Sequence, residues 1–205
     1  MNLCKYSKKG NTGIMECLKR LIDTIANIDE KNEHGDTPLI IACENENEEV
    51  VKLLKEEGAN INESNNKGNS PLIVACKKKN FEIIKYLVEN EARINKENSK
   101  GNTSLIEACK TCRNGNSKII ELLVNHDADI NKENKSGNTP LIFACRKRDI
   151  YIIKLLIKKG ADINKENNFG NTTLIFACYK SSENIIKYLV EEIVNKAKID
   201  NKKRI

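Results

Sequence analysis

The sequence predicts an all-α solenoid, a stack of helix-turn-helix units joined by short hairpin-like fingers. A nine-residue phrase, GNTPLIFAC at 137–145, recurs with changes at 35–43, 68–76, 101–109 and 170–178. The glycines that begin these copies are 33, 33, 36 and 33 residues apart. The copies are followed by an apolar stretch and then by a polar stretch that ends at a glycine. Repetition at this period is typical of stacked units rather than of one globular core.

Each unit is expected to begin with a capped helix, as the copy at 137–169 illustrates. The Thr139 hydroxyl suits the N-cap, and Pro140, which has no amide to leave unpaired, suits the first helical position. Apolar residues continue to Cys145. The polar run 146–149 then predicts a tight turn.

A second helix and a finger complete the unit. Paired apolar residues three apart predict a helix over 150–159, and Gly160 predicts a left-handed stop. The polar stretch 161–170 predicts a hairpin-like finger with a turn near 167–170. Because neither helix can bury its apolar stripe alone, we expect the units to share one core.

The repeat divides the chain into units of one continuous domain. We predict the boundaries 1–34, 35–67, 68–100, 101–136, 137–169 and 170–205. The first is a degenerate capping unit whose Lys-rich first helix lies in 3–9, and the fourth has a three-residue insertion within 110–116. The last has an extended helix, 183–196, followed by a basic tail that resembles another finger and that we expect to be disordered.

The phrase and its spacing resemble the ankyrin repeat. The resemblance rests on Thr-Pro-Leu followed by Ile-x-Ala-Cys, on apolar pairs about eleven positions later, and on Gly-Ala-Asp-Ile-Asn. It covers nearly the whole chain and recurs five times in register. The resemblance implies protein binding on a concave face built from fingers and first helices. It also implies asparagine hydroxylation as a hypothesis at Asn62, Asn95, Asn131 and Asn164.

Three departures from the family pattern lead to further predictions. Isoleucine replaces the family's histidine, so we expect apolar packing at Ile40, Ile73, Ile106, Ile142 and Ile175. The glycine between the helices is replaced by Glu46, Lys79, Arg148 and Ser181. We expect the adjacent Asn47, Asn80 and Asp149 to take the left-handed turn instead. Where Glu91 and Asp127 replace the second-helix stop glycine, we expect lower local stability.

Cysteine position argues against disulfides and metal. Of eight cysteines, five end the phrase, namely Cys43, Cys76, Cys109, Cys145 and Cys178. Equivalent residues of stacked units lie about 10 Å apart, whereas a disulfide needs Cα atoms within about 7 Å. We therefore expect buried, reduced thiols. Cys109 and Cys112 form one close pair without a second, and we expect no metal and no cofactor.

Composition and motifs exclude several classes of function. The chain has 35 basic and 29 acidic residues, a net charge of +6 that favours acidic partners only weakly. It has no run of 18 apolar residues, and its first residues lack a signal-peptide core. We expect a cytoplasmic monomer, with the nucleus as the alternative. No catalytic motif occurs, and a residue that recurs at every unit is scaffold, so we expect no catalytic residues and no enzyme.

Binding residues are expected where the units differ, at the finger tips and first-helix ends. These positions are basic in the second to fifth copies and acidic in the first, at Glu33, Asp36, Glu44 and Glu46. The candidates are Lys67, Lys77, Lys78, Lys100, Lys110, Lys135, Arg146, Lys147 and Lys180, with Phe169 and Tyr179 as aromatic anchors. They suit a protein partner with an acidic segment, and a solvated polar rim is the structural alternative.

Two other functions remain open from the sequence. Nucleic acid is one, although interleaved stacking aromatics are missing and the net charge is small. A regulatory piece of a larger multidomain protein is the other. An exposed reactive thiol at Cys112 is a further possibility that the sequence supports weakly.

Overall fold

The computed structural model describes residues 27–111, 117–180 and 182–202, with side chains through Lys196. The capping unit's predicted helices, most of the insertion, Cys112 and Ser181 lie outside these residues. Within the described ranges the chain forms ten helices and no strand, which confirms the all-α prediction. They are α1 Pro38–Glu44, α2 Glu48–Glu56, α3 Pro71–Lys78, α4 Phe81–Glu89, α5 Ser104–Thr111, α6 Ser117–Asn125, α7 Pro140–Lys147, α8 Ile150–Lys158, α9 Thr173–Tyr179 and α10 Glu183–Lys202.

The helices stack in two rows that share one core. Each odd-numbered helix packs on the next odd one from α1 to α9, and α2, α4, α6 and α8 pack in the same order. Each odd helix, called here a first helix, also packs on the second helix that follows it. The phrase alanines are at most 2 % exposed, at Ala42, Ala75, Ala108, Ala144 and Ala177. Such packing confirms the predicted solenoid.

The first helices begin as predicted. Thr139 accepts a hydrogen bond from the Ile142 amide at 3.3 Å, and the equivalent residues of the other four copies make the same bond. Pro140 occupies the first helical position. The helix continues through Arg146 and Lys147, which were predicted to lie in the turn.

The predicted left-handed turns between helices fall one residue earlier than expected. Glu46, Lys79 and Arg148 have φ values of 58°, 68° and 61°. The prediction for their neighbours is wrong because Asn47, Asn80 and Asp149 cap the second helices. Each accepts a hydrogen bond from an amide three residues on, at 3.2, 3.0 and 3.2 Å. This role requires a negative φ.

The second helices end in left-handed residues whether or not glycine is present. Gly58 and Gly160 have φ values of 90° and 97°, and Glu91 and Asp127 have 67° and 63°. At all four ends the next alanine amide bonds a leucine carbonyl at 2.9 or 3.0 Å. The four second helices therefore end in the same way. Lower local stability where Glu91 and Asp127 replace glycine stays a prediction.

The C-terminal end of the stack departs from the expectations. Helix α10 continues to Lys202. The prediction that the chain from 197 onward resembles a finger and is disordered is therefore wrong for residues 197–202. The stretch 197–202 contains no glycine or proline to end the helix.

The isoleucines that replace the family's histidine are buried wherever another unit follows. Ile40, Ile73, Ile106 and Ile142 are fully buried as expected. Ile175 is only partly buried because no described helix pair covers α9.

An asparagine ladder sets the fingers side by side. The Asn98 side-chain oxygen accepts hydrogen bonds from the Lys100 and Asn102 amides of its own finger at 3.0 Å. Its amide group donates to the Asn69 side chain of the preceding finger at 3.1 Å. Asn65, Asn134 and Asn167 repeat this arrangement. Asp36, counted above with the acidic surface, is in fact a buried acceptor at the start of the ladder.

Close approach of neighbouring fingers explains the recurring glycine. Gly68 and Gly101 have φ values of 71° and 73°. A Cβ atom added to Gly68 would lie 2.7 Å from the backbone nitrogen of Ser99, and one added to Gly101 would lie 2.7 Å from that of Lys135. Gly170 has the same conformation, yet no described atom lies within 4 Å of its Cβ position, since no described finger follows. The ladder and these contacts hold the finger tips in register beside the first helices.

Candidate functional site

The candidate site lies on the finger face, defined here as the finger tips together with the solvent-facing residues of the first helices. A depression between α5, α7 and α9 is lined by Lys110, Phe143, Arg146, Lys147 and Lys180. A second depression adjoins it and shares the first three of these residues. Its other lining residues come from two fingers and include Ser99, Lys100, Lys135 and Ser136.

Six of the sequence-predicted residues therefore meet at one place. We call Lys100, Lys110, Lys135, Arg146, Lys147 and Lys180, together with Phe143, the basic patch. The ladder brings the finger lysines beside the helix-borne cations, although they come from different units. Among the described residues, no carboxylate forms an ion pair with Arg146, Lys147 or Lys180.

Two aromatic rings contact the cations of the basic patch. The Arg146 guanidinium carbon lies 5.5 Å from the Phe143 ring centroid and 5.7 Å from that of Phe176. The Lys110 ammonium lies 5.8 Å from the Phe143 centroid. Such cation–π contacts contribute about 0.5–1 kcal/mol at exposed sites. Tyr179 packs edge-on against Phe176 with centroids 6.4 Å apart and remains 71 % exposed.

Sequence reasoning missed these two phenylalanines. The sequence pattern places both rings in the apolar phrase and predicts no role in binding for either. A signal was present, because the variable position of Ile-x-Ala-Cys carries aliphatic residues in the first two copies and phenylalanine in the last two. The central copy has Glu107 at this position.

Glu107 is a buried carboxylate in the middle of the finger face. It is 3 % exposed, and it accepts hydrogen bonds from the side-chain amides of Asn102 at 2.7 Å and Asn98 at 3.3 Å. Both carboxylate oxygens lie 3.0 Å from the Lys110 ammonium. Glu107 thus ties α5 to its finger and holds Lys110 at the edge of the basic patch.

The remaining predicted residues lie elsewhere on the molecule. Lys67, Lys77 and Lys78 line neither depression. The Lys77 ammonium donates to the Asn69 side chain at 2.8 Å. Burial lowers the pKa of Lys77; Glu107 opposes this shift, and Lys110, Lys100 and Lys67 add to it. Phe169 is 77 % exposed at the last finger tip, apart from both depressions.

The described cysteines form no disulfide. Cys43, Cys76, Cys109 and Cys145 are buried thiols, as predicted, whereas Cys178 is exposed. The prediction of burial is wrong for Cys178 because no described first helix follows α9. Burial raises the pKa of the Cys145 thiol to about 12, and Cys178 adds to the shift.

Two other kinds of site are absent from the described ranges. No three side chains of the types His, Cys, Asp and Glu lie close enough together to bind a metal ion there. None of the described helices has the length and apolar character needed to cross a bilayer.

Comparison with known proteins identifies the family. The family model for ankyrin repeats matches in three overlapping copies, at residues 3–98, 57–134 and 105–203. Comparison with curated proteins gave no match. Ankyrin repeats in general are protein–protein interaction modules and are typically not catalytic. The repeated phrase, the stacked helix pairs and these matches together establish that the chain belongs to the ankyrin repeat family.

Proposed function

We propose that this protein is a non-catalytic interaction module that binds an acidic segment of another protein on its finger face. The observation that carries the proposal is the basic patch, where six cations from four units converge beside an aromatic centre. Complementary charge of this kind speeds association and selects among partners. An acidic segment supplies the missing counter-charges.

The free cations of the basic patch favour binding over a passive surface role. Arg146, Lys147 and Lys180 are exposed, and none pairs with a described carboxylate. By contrast, the finger lysines Lys31 and Lys132 pair with Glu63 and Glu97 of neighbouring fingers at 2.6 and 2.8 Å. The basic patch is therefore available to pair with carboxylates of a partner.

The exposed aromatic rings supply contact area beside the charges. Tyr179 and Phe169 are 71 % and 77 % exposed, and Tyr179 stands next to Phe176 and the basic patch. Tyrosine and arginine are enriched among residues that dominate binding energies. A partner segment with acidic residues and at least one apolar side chain fits this combination.

The recurring polar residues support a non-catalytic role. The ladder asparagines bond the fingers to one another. The Glu107 carboxylate already accepts hydrogen bonds from two asparagines and from Lys110. These groups therefore serve the scaffold rather than a reaction.

A matched pair of charge reversals tests the proposed binding face. The finger-face variant is R146E/K147E/K180E, and the control is K52E/K85E/K118E, which reverses three exposed lysines on second helices. Partners captured by the wild type are identified and purified, and their affinities for all three proteins are measured by calorimetry. We expect at least about a tenfold loss for the finger-face variant alone.

Other results would assign the function differently. Equal affinity for the two variants would contradict binding on the finger face. Sequence-independent binding of nucleic acid, with affinity falling steeply as salt rises, would instead favour the nucleic-acid function.

A further inference from the structure

We propose that the depression between α5, α7 and α9 binds a phosphorylated side chain of the partner segment. This inference rests on the proposed function and names the chemistry of the partner's anchor. The ligand is a phosphate monoester carried by a peptide, rather than a carboxylate alone. Partner binding would then depend on phosphorylation of the partner.

The charge of the depression is the first argument. Four of its five lining residues are cations, and the fifth is Phe143. Only Lys110 has a carboxylate partner, Glu107, while Arg146, Lys147 and Lys180 have none among the described residues. One carboxylate would leave most of this charge uncompensated. A phosphate monoester brings about −1.5 to −2 charges at pH 7 and three strong acceptor oxygens.

The position of Arg146 is the second argument. Its guanidinium lies within cation–π distance of both Phe143 and Phe176, at 5.5 and 5.7 Å. Two aromatic contacts restrict the side chain before the ligand arrives, which lowers the entropy cost of binding. Guanidinium donors form a fork that matches two phosphate oxygens, and such bidentate pairs are stronger than neutral hydrogen bonds.

Lys110 is also prepared for the same ligand. Its ammonium is fixed by both Glu107 oxygens at 3.0 Å and lies 5.8 Å from the Phe143 centroid. An ammonium has three donors. Glu107 therefore positions Lys110 beside Phe143, in the same depression as Arg146, Lys147 and Lys180.

The size of the depression suits one side chain. Its volume is about 220 Å³, below the roughly 300 Å³ at which pockets for whole small molecules begin. It adjoins the neighbouring depression, with which it shares Lys110, Phe143 and Arg146. Residues flanking the phosphorylated side chain have a basic path toward Lys100 and Lys135.

The other basic group on the finger face lacks these features. Lys77 is bonded to Asn69, and burial lowers its pKa. Lys67 and Lys78 are exposed, and neither lies in a described cation–π contact. Phosphate recognition is therefore assigned to the C-terminal half of the finger face alone.

Small probes test the assignment without knowledge of the partner. N-acetyl-O-phosphoserine methylamide, N-acetylglutamate methylamide and N-acetylserine methylamide are titrated into nitrogen-15-labelled protein and followed by NMR. We expect the phosphoserine probe to shift the amides of Lys110, Arg146, Lys147 and Lys180. It should bind at least about tenfold more tightly than the glutamate probe.

Two single variants separate the fork from simple charge. Arg146→Lys keeps the positive charge but removes the fork, and we expect at least about a fivefold weaker phosphoserine affinity. Lys85→Ala removes an exposed lysine of α4, in the row of second helices and away from the finger face, and we expect no change. Equal thermal midpoints for both variants and the wild type would show that the stack is intact.

The outcomes distinguish this inference from the proposed function. Equal affinity for the phosphoserine and glutamate probes, no shift in the basic patch, or an unchanged R146K variant would each overturn the phosphate assignment. None of these results would affect the acidic-segment function, which requires only that partner affinity depend on the finger face. Loss of that dependence in the triple-variant experiment would overturn both proposals.

Discussion

The carboxylate of Glu107 lies 3.0 Å from the ammonium of Lys110, three residues further along α5. Glu107 stands where the other copies of the phrase have only apolar residues, at Ile41, Val74, Phe143 and Phe176. Glu107 also holds the amides of Asn98 and Asn102. One buried carboxylate thus links the finger ladder to the edge of the basic patch.

Replacement of this carboxylate tests its two roles. Glu107→Gln keeps the side-chain size but loses the charge-assisted bond to Lys110, and we expect unfolding free energy to fall by about 1–3 kcal/mol. Affinity for an acidic partner should rise, because the loss of a neighbouring negative charge outweighs the loss of the contact that positions Lys110. Denaturant unfolding and calorimetry measure the two effects. Glu82→Gln, at an exposed position of α4, is the control, and equal stability losses in both variants would contradict the structural role.

Proline at the first helical position of α5 and α9 should stabilise the protein. Ser104 and Thr173 stand where the other copies have proline, and their buried hydroxyls have no hydrogen-bond partner within the described part of the chain. For Thr173, the preceding Thr172 has φ −82° and ψ 170°, a conformation that proline favours in its neighbour. Ser104→Pro and Thr173→Pro should each add about 0.4–1 kcal/mol, measured as a raised thermal midpoint. A lower midpoint would show that the serine or threonine side chain contributes to stability.

Finger asparagines should matter only where another unit follows. The Asn131 side chain accepts from the Asp162 amide at 2.8 Å and donates to the Gly160 carbonyl at 3.1 Å. The equivalent Asn164 is exposed and has no such side-chain contacts among the described residues. We expect Asn131→Ala to cost about 1–3 kcal/mol of unfolding free energy and Asn164→Ala less than about 0.5 kcal/mol. Similar losses for both would argue against the inter-unit bonds.

Thiol reactivity should follow burial within the stack. The thiolate is the reactive form, and burial raises the pKa of Cys145 to about 12, so almost all of it is protonated at pH 8. Iodoacetamide treatment followed by peptide mapping should modify exposed Cys178 while leaving Cys43 and Cys145 unmodified until the protein unfolds. Modification of Cys145 at the rate of Cys178 would contradict the shared core.

The sequence was sufficient for the fold because each unit repeats the same local signals. The cap at Thr139, the proline after it and the stop at Gly160 lie where the pattern placed them. The left-handed turn was misplaced because Asn47 suits both a left-handed turn and an N-cap, and only the three-dimensional structure shows which role it takes. The end of α10 was misplaced because 197–202 resembles a finger but lacks a helix-ending residue.

The candidate site was predictable in part. Charge at variable positions identified the lysines of the basic patch, because such positions face solvent between similar units. Sequence could not show that Lys77 is bonded to Asn69, since that contact depends on how the finger lies against α3. The aromatic support of Arg146 was also hidden, because Phe143 and Phe176 belong to different units and meet only after stacking.

The central claim is that the finger face, and not the row of second helices, contacts the partner. Hydrogen exchange of the protein with and without its captured partner measures this directly. We expect slower exchange in the complex at fingers 98–103 and 134–139 and at Arg146 and Lys147, with α2, α4 and α6 unchanged. Protection confined to α2, α4 and α6, with the basic patch exchanging as in the free protein, would contradict the account.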